Sequence, residues 1–199
     1  MVKDPVEILN RRNAEVQQIR GYVDLTEEAK QRRIAEVNER AQQEYRQAVE
    51  SEERERAERL ERSKAAVFRV PIPSSATDAE EAQIHAAYRA AYNDVYSSTS
   101  LFADSPAEAQ EELERLLAQA ERSGDKLLAA ATYHRAIDLG IQSVVDAYLA
   151  SRPAESRAWE SYTTAHQEVS QSRDIGHLLE RAYTERALSP AGEPSEFVG

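Results

Sequence analysis

The sequence predicts an all-α protein: an N-terminal antiparallel helical hairpin containing one long charged helix, followed by a C-terminal helical bundle. Three observations point there. Glycine and proline are scarce, 6 and 7 in 199 residues, so turns are few. β-branched runs are rare, which argues against sheets. Charged residues make up 31% and aromatics 7%, the balance of long solvated helices around a modest core.

The helix starts are explicit. Asp4-Pro5-Val6-Glu7 places an acid at the cap, proline at the first helical position and glutamate at the third. Asp24-Leu25-Thr26-Glu27, Thr77-Asp78-Ala79-Glu80 and Ser105-Pro106-Ala107-Glu108 repeat that logic, the glutamate in each able to reach back to the cap. A fifth start lies at Ser151-Arg152-Pro153. The first helix is expected from Pro5 to Arg20, with Leu9, Val16 and Ile19 on one face and Gly21 closing it. The short connection Tyr22 to Asp24 favours an antiparallel return.

The second helix is expected from Leu25 to Ala66, on the order of 60 Å at the α-helical rise. Its stripe is Ile34, Val37, Ala41, Tyr45, Ala48 and Val49. The eleven residues from Ile34 to Tyr45 match a repeat that packs nearly straight. The first helix is long enough to cover only the first half of this stripe. The second half, ESEERERAERLER at 50–62, has Ala57 and Leu60 as its only apolar side chains. Glutamate precedes arginine by four residues at Glu50–Arg54, Glu52–Arg56, Glu55–Arg59 and Glu58–Arg62. At about 0.2–0.5 kcal/mol per pair these can sustain a helix nucleated elsewhere but cannot fold one alone. The plain reading is a solvated helical face; the sharper one is a strut that carries partner contacts.

The stretch AAVFRVPIPSSATD breaks the pattern, because Pro71 and Pro73 forbid a helix. It reads as a linker with an apolar edge of Val67, Phe68, Val70 and Ile72. The expected organisation is therefore a helical arm at 1–66, a linker at 67–77, a bundle at 78–186 and a flexible tail at 187–199. In the bundle, Ile84, Tyr88, Ala91, Tyr92 and Val95 mark a third helix from Asp78 to Ser97. Leu113, Leu116, Leu117 and Ala120 mark a fourth from Pro106 to Ser123, ended by Gly124. A fifth, capped by Asp125, runs from Lys126 to Ala150, with Gly140 as a kink or a break. A sixth starts at Pro153 and carries Trp159, Tyr162, His166 and Val169, with Gly176 as a possible interruption before Leu178. The tail SPAGEPSEFVG reads either as a disordered end or as a docking peptide inserting Phe197 into a neighbour.

Formal charge is −11, which disfavours indiscriminate binding to nucleic acid. The absence of cysteine removes disulfides, zinc-thiolate sites and thiol nucleophiles. No signal peptide or membrane span is read, so the expected location is intracellular, neither secreted nor membrane-bound.

No catalytic signature is present. His166 and His177 lie roughly three turns apart on a helix, too far to share a metal. His134 with Asp138 and His85 with Glu81 read as ordinary four-residue helical pairs. The carboxylates are interleaved with arginine, and no phosphate loop, GxSxG or dinucleotide fingerprint occurs. No catalytic residue, metal ligand, cofactor or small-molecule substrate is assigned. Tyr88, Tyr92 and Tyr96 step by four and read as half-buried core with hydroxyls at the rim. Arg11-Arg12 and Gln31-Arg32-Arg33 read as solvated salt-bridging turns. The partner-contact candidates are Ile34, Val37, Ala41, Tyr45, Val49, Leu60, Phe68 and Phe197.

Two resemblances accompany these residues. ERSGDKLLAAATYHRAIDLG resembles the turn and second helix of a tetratricopeptide unit, but no second copy lies 34 residues away and no array is supported. GYVDLTEEAKQRRIAEVNERAQQEYR, together with RSGDKLLAAA and AYLASRPAESRAWESY, resembles small helical virion-structure and assembly proteins of tailed phages and prophages of actinobacteria. It implies a role in head or tail morphogenesis, with host cytoplasm or virion as the expected location, and carries over no functional residue. The expected function is thus a non-enzymatic, self-associating phage structural or assembly protein that docks capsid or tail partners. The alternatives are a nucleic-acid-binding protein like a small terminase subunit or a regulator, and a cytoplasmic helical adaptor or chaperone.

Overall fold

The structure, a computed structural model, describes residues 5–102, 105–172 and 174–188, with backbone only at 175–180 and 187. Its elements are α1 (Pro5–Arg20), α2 (Glu27–Val67), α3 (Asp78–Ser100), α4 (Pro106–Ser123), α5 (Lys126–Leu139), α6 (Gln142–Leu149), α7 (Pro153–Ser172) and α8 (Ile175–Leu188). No strand occurs among the described residues, so the fold is all-α. Among them, no helix is long and apolar enough to cross a membrane.

The caps show which local signals act. Thr77 forms the full capping box: its hydroxyl accepts from Glu80 N–H, and Glu80 accepts from Thr77 N–H at 2.7 Å. The Thr77 backbone N–H first, and then the Thr77 hydroxyl, donate to the Glu80 carboxylate and hold it below the usual range. Asp125 caps α5 through Leu127 N–H and Leu128 N–H, both at 3.0 Å. Two expected boxes differ. α2 is capped by Thr26, whose hydroxyl accepts from Ala29 N–H at 3.3 Å, so the helix starts at Glu27 rather than after Asp24. Ser105 makes no side-chain cap, and the start of α4 rests on Pro106.

Gly140 ends α5 outright and separates the eight-residue α6. Gly124 and Gly140 both take φ 70°, which lets the next N–H turn back five residues. Asp125 N–H reaches Ala120 O and Ile141 N–H reaches Ala136 O, each at 2.9 Å.

Contacts divide the chain into a terminal unit, residues up to 61 with those from 164 onward, and a central unit, 62–163. The division falls inside α2 and α7, and differs from the consecutive arm, linker, bundle and tail expected from sequence. α8 is the reason: Leu188 is buried with Ile8, Ala41, Tyr45 and Ala48.

In the central unit one cluster joins Leu113, Leu116 and Leu117 of α4 to Ala131, Tyr133 and Ala136 of α5 and Val144, Val145 and Tyr148 of α6. Val67 and Val95 complete it from α2 and α3. Tyr133 and Tyr148 stack with ring centroids 4.3 Å apart, and the Arg152 guanidinium lies 4.1 Å over the Tyr148 ring. From the linker, Phe68 packs against this cluster and Val70 is buried.

In the terminal unit the buried face of α1 is Ile8, Val16 and Ile19, not Leu9. Ile8 and Ile19 are eleven residues apart, which returns to within about 20° on a helix, whereas Leu9 is turned about 100° away. Ile8 meets Ala41, Tyr45 and Ala48, while Val16 and Ile19 meet Val37 and Ile34. Arg11 pairs with Glu44 and Glu15 with Arg40. Of the expected pairs in the charged segment, Glu52–Arg56 forms at 2.8 Å. Arg59 turns instead to Glu168 at 3.1 Å, and Glu53 pairs with Arg181. The segment is helical throughout but exchanges charges with α7 and α8, so it is not a strut held by its own ion pairs alone.

Substitutions in the central core should separate two kinds of burial. Leu113→Ala, at a fully buried site, should cost roughly 2–5 kcal/mol in urea unfolding. The Tyr133 hydroxyl has no hydrogen-bond partner among the described residues, so Tyr133→Phe should be neutral or stabilising by about 1 kcal/mol. Gly140→Ala should cost about 1 kcal/mol through backbone strain alone, because a Cβ there meets nothing within 4 Å.

Candidate functional site

The polar groups of the central unit converge where the end of α2, α3 and α5 line a cleft of about 430 Å³. α2 supplies Lys64, and Phe68 follows its last turn; α3 supplies Tyr88, Arg89, Tyr92 and Asn93; α5 supplies His134 and Asp138. Tyr88 pairs with His134 and Tyr92 with Asp138, one turn apart on both helices. The constant offset means that α3 and α5 run in the same direction.

His134 is buried and uses both ring nitrogens. Val67 O, which can only accept, lies 3.0 Å from Nε2, so Nε2 carries the proton. The neutral ring's Nδ1 then accepts from the Tyr88 hydroxyl at 2.5 Å. Burial pushes the imidazole down to about 4, with the Val67 carbonyl and Asp138 opposing. Tyr88 is pushed up to about 12, by burial first and then by Tyr92, Asp138 and Tyr148. Tyr92 is likewise pushed up to about 12, by burial first and then by its hydrogen bond to Asp138.

At neutral pH the inner wall is therefore uncharged and internally satisfied. His134 would have to surrender the Tyr88 bond to act as a base, and the raised phenols favour their protonated forms. The charges lie at the mouth: Lys64 and Arg89 are exposed cations and Asp138 is an exposed anion bonded to Tyr92. Rings of Phe68, Tyr88 and Tyr92 form the apolar surface between them. The lining offers aromatic faces to an aromatic group and two cations to an anion. Its volume falls within the roughly 300–1,000 Å³ of ligand sites. Among the described residues, no three His, Asp or Glu side chains converge as a metal site requires.

The sequence-based candidates scatter across the molecule. Val37, Ala41 and Tyr45 are buried in the terminal unit, with Ile34 and Val49 half-buried beside them. A partner reaches the three buried residues only by displacing α1 or α8. Leu60 is half-buried on α2. Phe68 alone reaches the cleft. Phe197 lies outside the described residues.

His134 and Asp138 do not pair with each other by hydrogen bond as the four-residue spacing suggested; each is taken by a tyrosine of α3. His85 and Glu81 do approach, at 3.6 Å on an exposed face. His166 is exposed, and the side chain of His177 lies outside the described residues. Tyr96 is half-exposed and carries the Arg135 guanidinium 4.5 Å from its ring. Arg11 is committed to Glu44, and Arg12 donates from Nε to Asn38 Oδ1 at 2.8 Å. The site residues that sequence reasoning passed over are Lys64, Arg89, Asn93 and the Val67 carbonyl. One signal existed: the step Tyr88/Tyr92 on one helix matches His134/Asp138 on another.

No protein-family model, curated protein or solved structure matches the chain.

The lowered His134 fixes a sign for stability against pH. Its folded value, about 4, lies below the 6.5 of an unperturbed ring, so between them the unfolded chain holds more protons. This contribution, on the order of 3 kcal/mol, should be complete above pH 6.5 and lost as pH falls through that window. Urea unfolding of the native chain and His134→Gln across pH 4 to 7 should show a shallower slope for the variant; equal slopes would exclude the assignment.

Proposed function

We propose that this chain is a non-enzymatic structural or assembly protein that works by helix-mediated self-association and partner docking. Its setting would be virion head or tail morphogenesis, the kind of role that its sequence texture resembles. The observation that carries the reading is the thin core of the terminal unit. Among the described residues its apolar clusters are five buried side chains around Ile8 and three around Val16. The central unit, of similar length, joins sixteen in one cluster. Helices of this length draw most of their stability from packed apolar faces, and ion pairs contribute little. A further copy or partner packed on these helices would add apolar burial to them. The satisfied, uncharged inner wall of the cleft agrees with a binding role.

Sedimentation of the purified chain tests this. The expected result is a species heavier than the 22.4 kDa monomer that dissociates on dilution. A single monomer over the whole accessible concentration range would defeat the proposal.

A further inference from the structure

We propose that the cleft of Lys64, Phe68, Tyr88, Arg89 and Tyr92 receives the tail of a second copy, with Phe197 between the rings and Glu193 and Glu196 against the two cations. The inference rests on the self-association just proposed and names its contact.

Three features select this occupant. The first is which groups of the cleft remain available. His134, Tyr88 and Tyr92 spend their polar atoms on each other, on Val67 O and on Asp138. A ligand therefore meets aromatic faces, the cations Lys64 and Arg89 and the Asn93 amide, not a proton relay. Asp138 adds an anion to the same mouth but is bonded by Tyr92, so the two cations dominate.

The second is charge. Residues 189–199 hold Glu193 and Glu196 and no lysine or arginine. An acidic segment in an acidic chain is repelled by most of its surroundings and attracted by a local pair of cations. The third is the aromatic residue itself. The chain has three phenylalanines, and Phe68 and Phe102 pack against the central core. Phe197 stands next to Glu196, which matches ring and cation neighbouring each other in the cleft. Pro190 and Pro194 lie before the ring and carry no backbone N–H, so the peptide is recognised through its side chains, with the ring filling a pocket.

A labelled peptide of residues 189–199 titrated into the full-length chain, followed by fluorescence anisotropy, tests the contact. Saturable binding is expected. It should weaken by about tenfold or more in Lys64→Glu/Arg89→Glu, with the Phe197→Ala peptide, and at high salt. Both substituted cations are exposed, and circular dichroism checks that the variant folds. Mixing that variant with a Glu193→Lys/Glu196→Lys chain should restore the heavier species in sedimentation, because each then supplies the complement of the other. No saturable binding, or binding indifferent to the cations, overturns the inference. An oligomer without peptide binding would leave self-association standing and remove this contact. Peptide binding by a chain that stays monomeric would remove both.

Discussion

The carbonyl of Val67 organises the central unit. It is among the last in α2 and has no acceptor role left within that helix. His134 meets it with Nε2–H, which obliges the neutral ring to accept at Nδ1, and Tyr88 provides that proton. One bond at a helix end thus fixes a tautomer, sets α3 facing α5, and places Tyr92 beside Asp138 a turn later. The histidine thereby caps a helix end, held neutral by burial. The cleft follows from this arrangement, because aromatic rings committed to a buried bond expose their faces while their polar ends are occupied.

The terminal unit solves a different problem. α1 and α2 meet through side chains repeating every eleven residues on both helices, Ile8 with Ile19 and Ile34 with Tyr45. That repeat keeps nearly straight helices in register. The contact is narrow, and alanine fills much of it, at Ala41 and Ala48. Around it the cohesion is electrostatic, with Arg11–Glu44, Glu15–Arg40, Glu53–Arg181 and Arg59–Glu168 linking different helices. Such partly exposed pairs specify which helices meet more than they stabilise the meeting.

Local chemistry was readable where one residue decides the outcome. Thr77 with Glu80, Pro106, Gly124 and Asp125 each act within a turn of chain, and the start of α3, both ends of α4 and the start of α5 follow from them. Where two residues compete locally, as Asp24 with Thr26 for a cap and Ile8 with Leu9 for a face, sequence alone does not decide between them. Gly140 was ambiguous because a mid-helix glycine is compatible with a kink or a stop; here the left-handed turn stops it. What could not be read was set by distance along the chain. Leu188 packs on Ile8, and His134 bonds a backbone carbonyl sixty-seven residues away, which no side-chain pattern announces. The cleft needs three separate segments, so its cations Lys64 and Arg89 looked like any other solvated charge.

The cross-helix ion pairs have one more consequence. Dissolved electrolyte screens exposed charges within a few ångströms, while strongly hydrated salts such as sulfate reinforce apolar burial. The arginine–glutamate links among the terminal helices weaken under the same sulfate that tightens the apolar clusters of both units, so brine trades helix-to-helix specificity for burial.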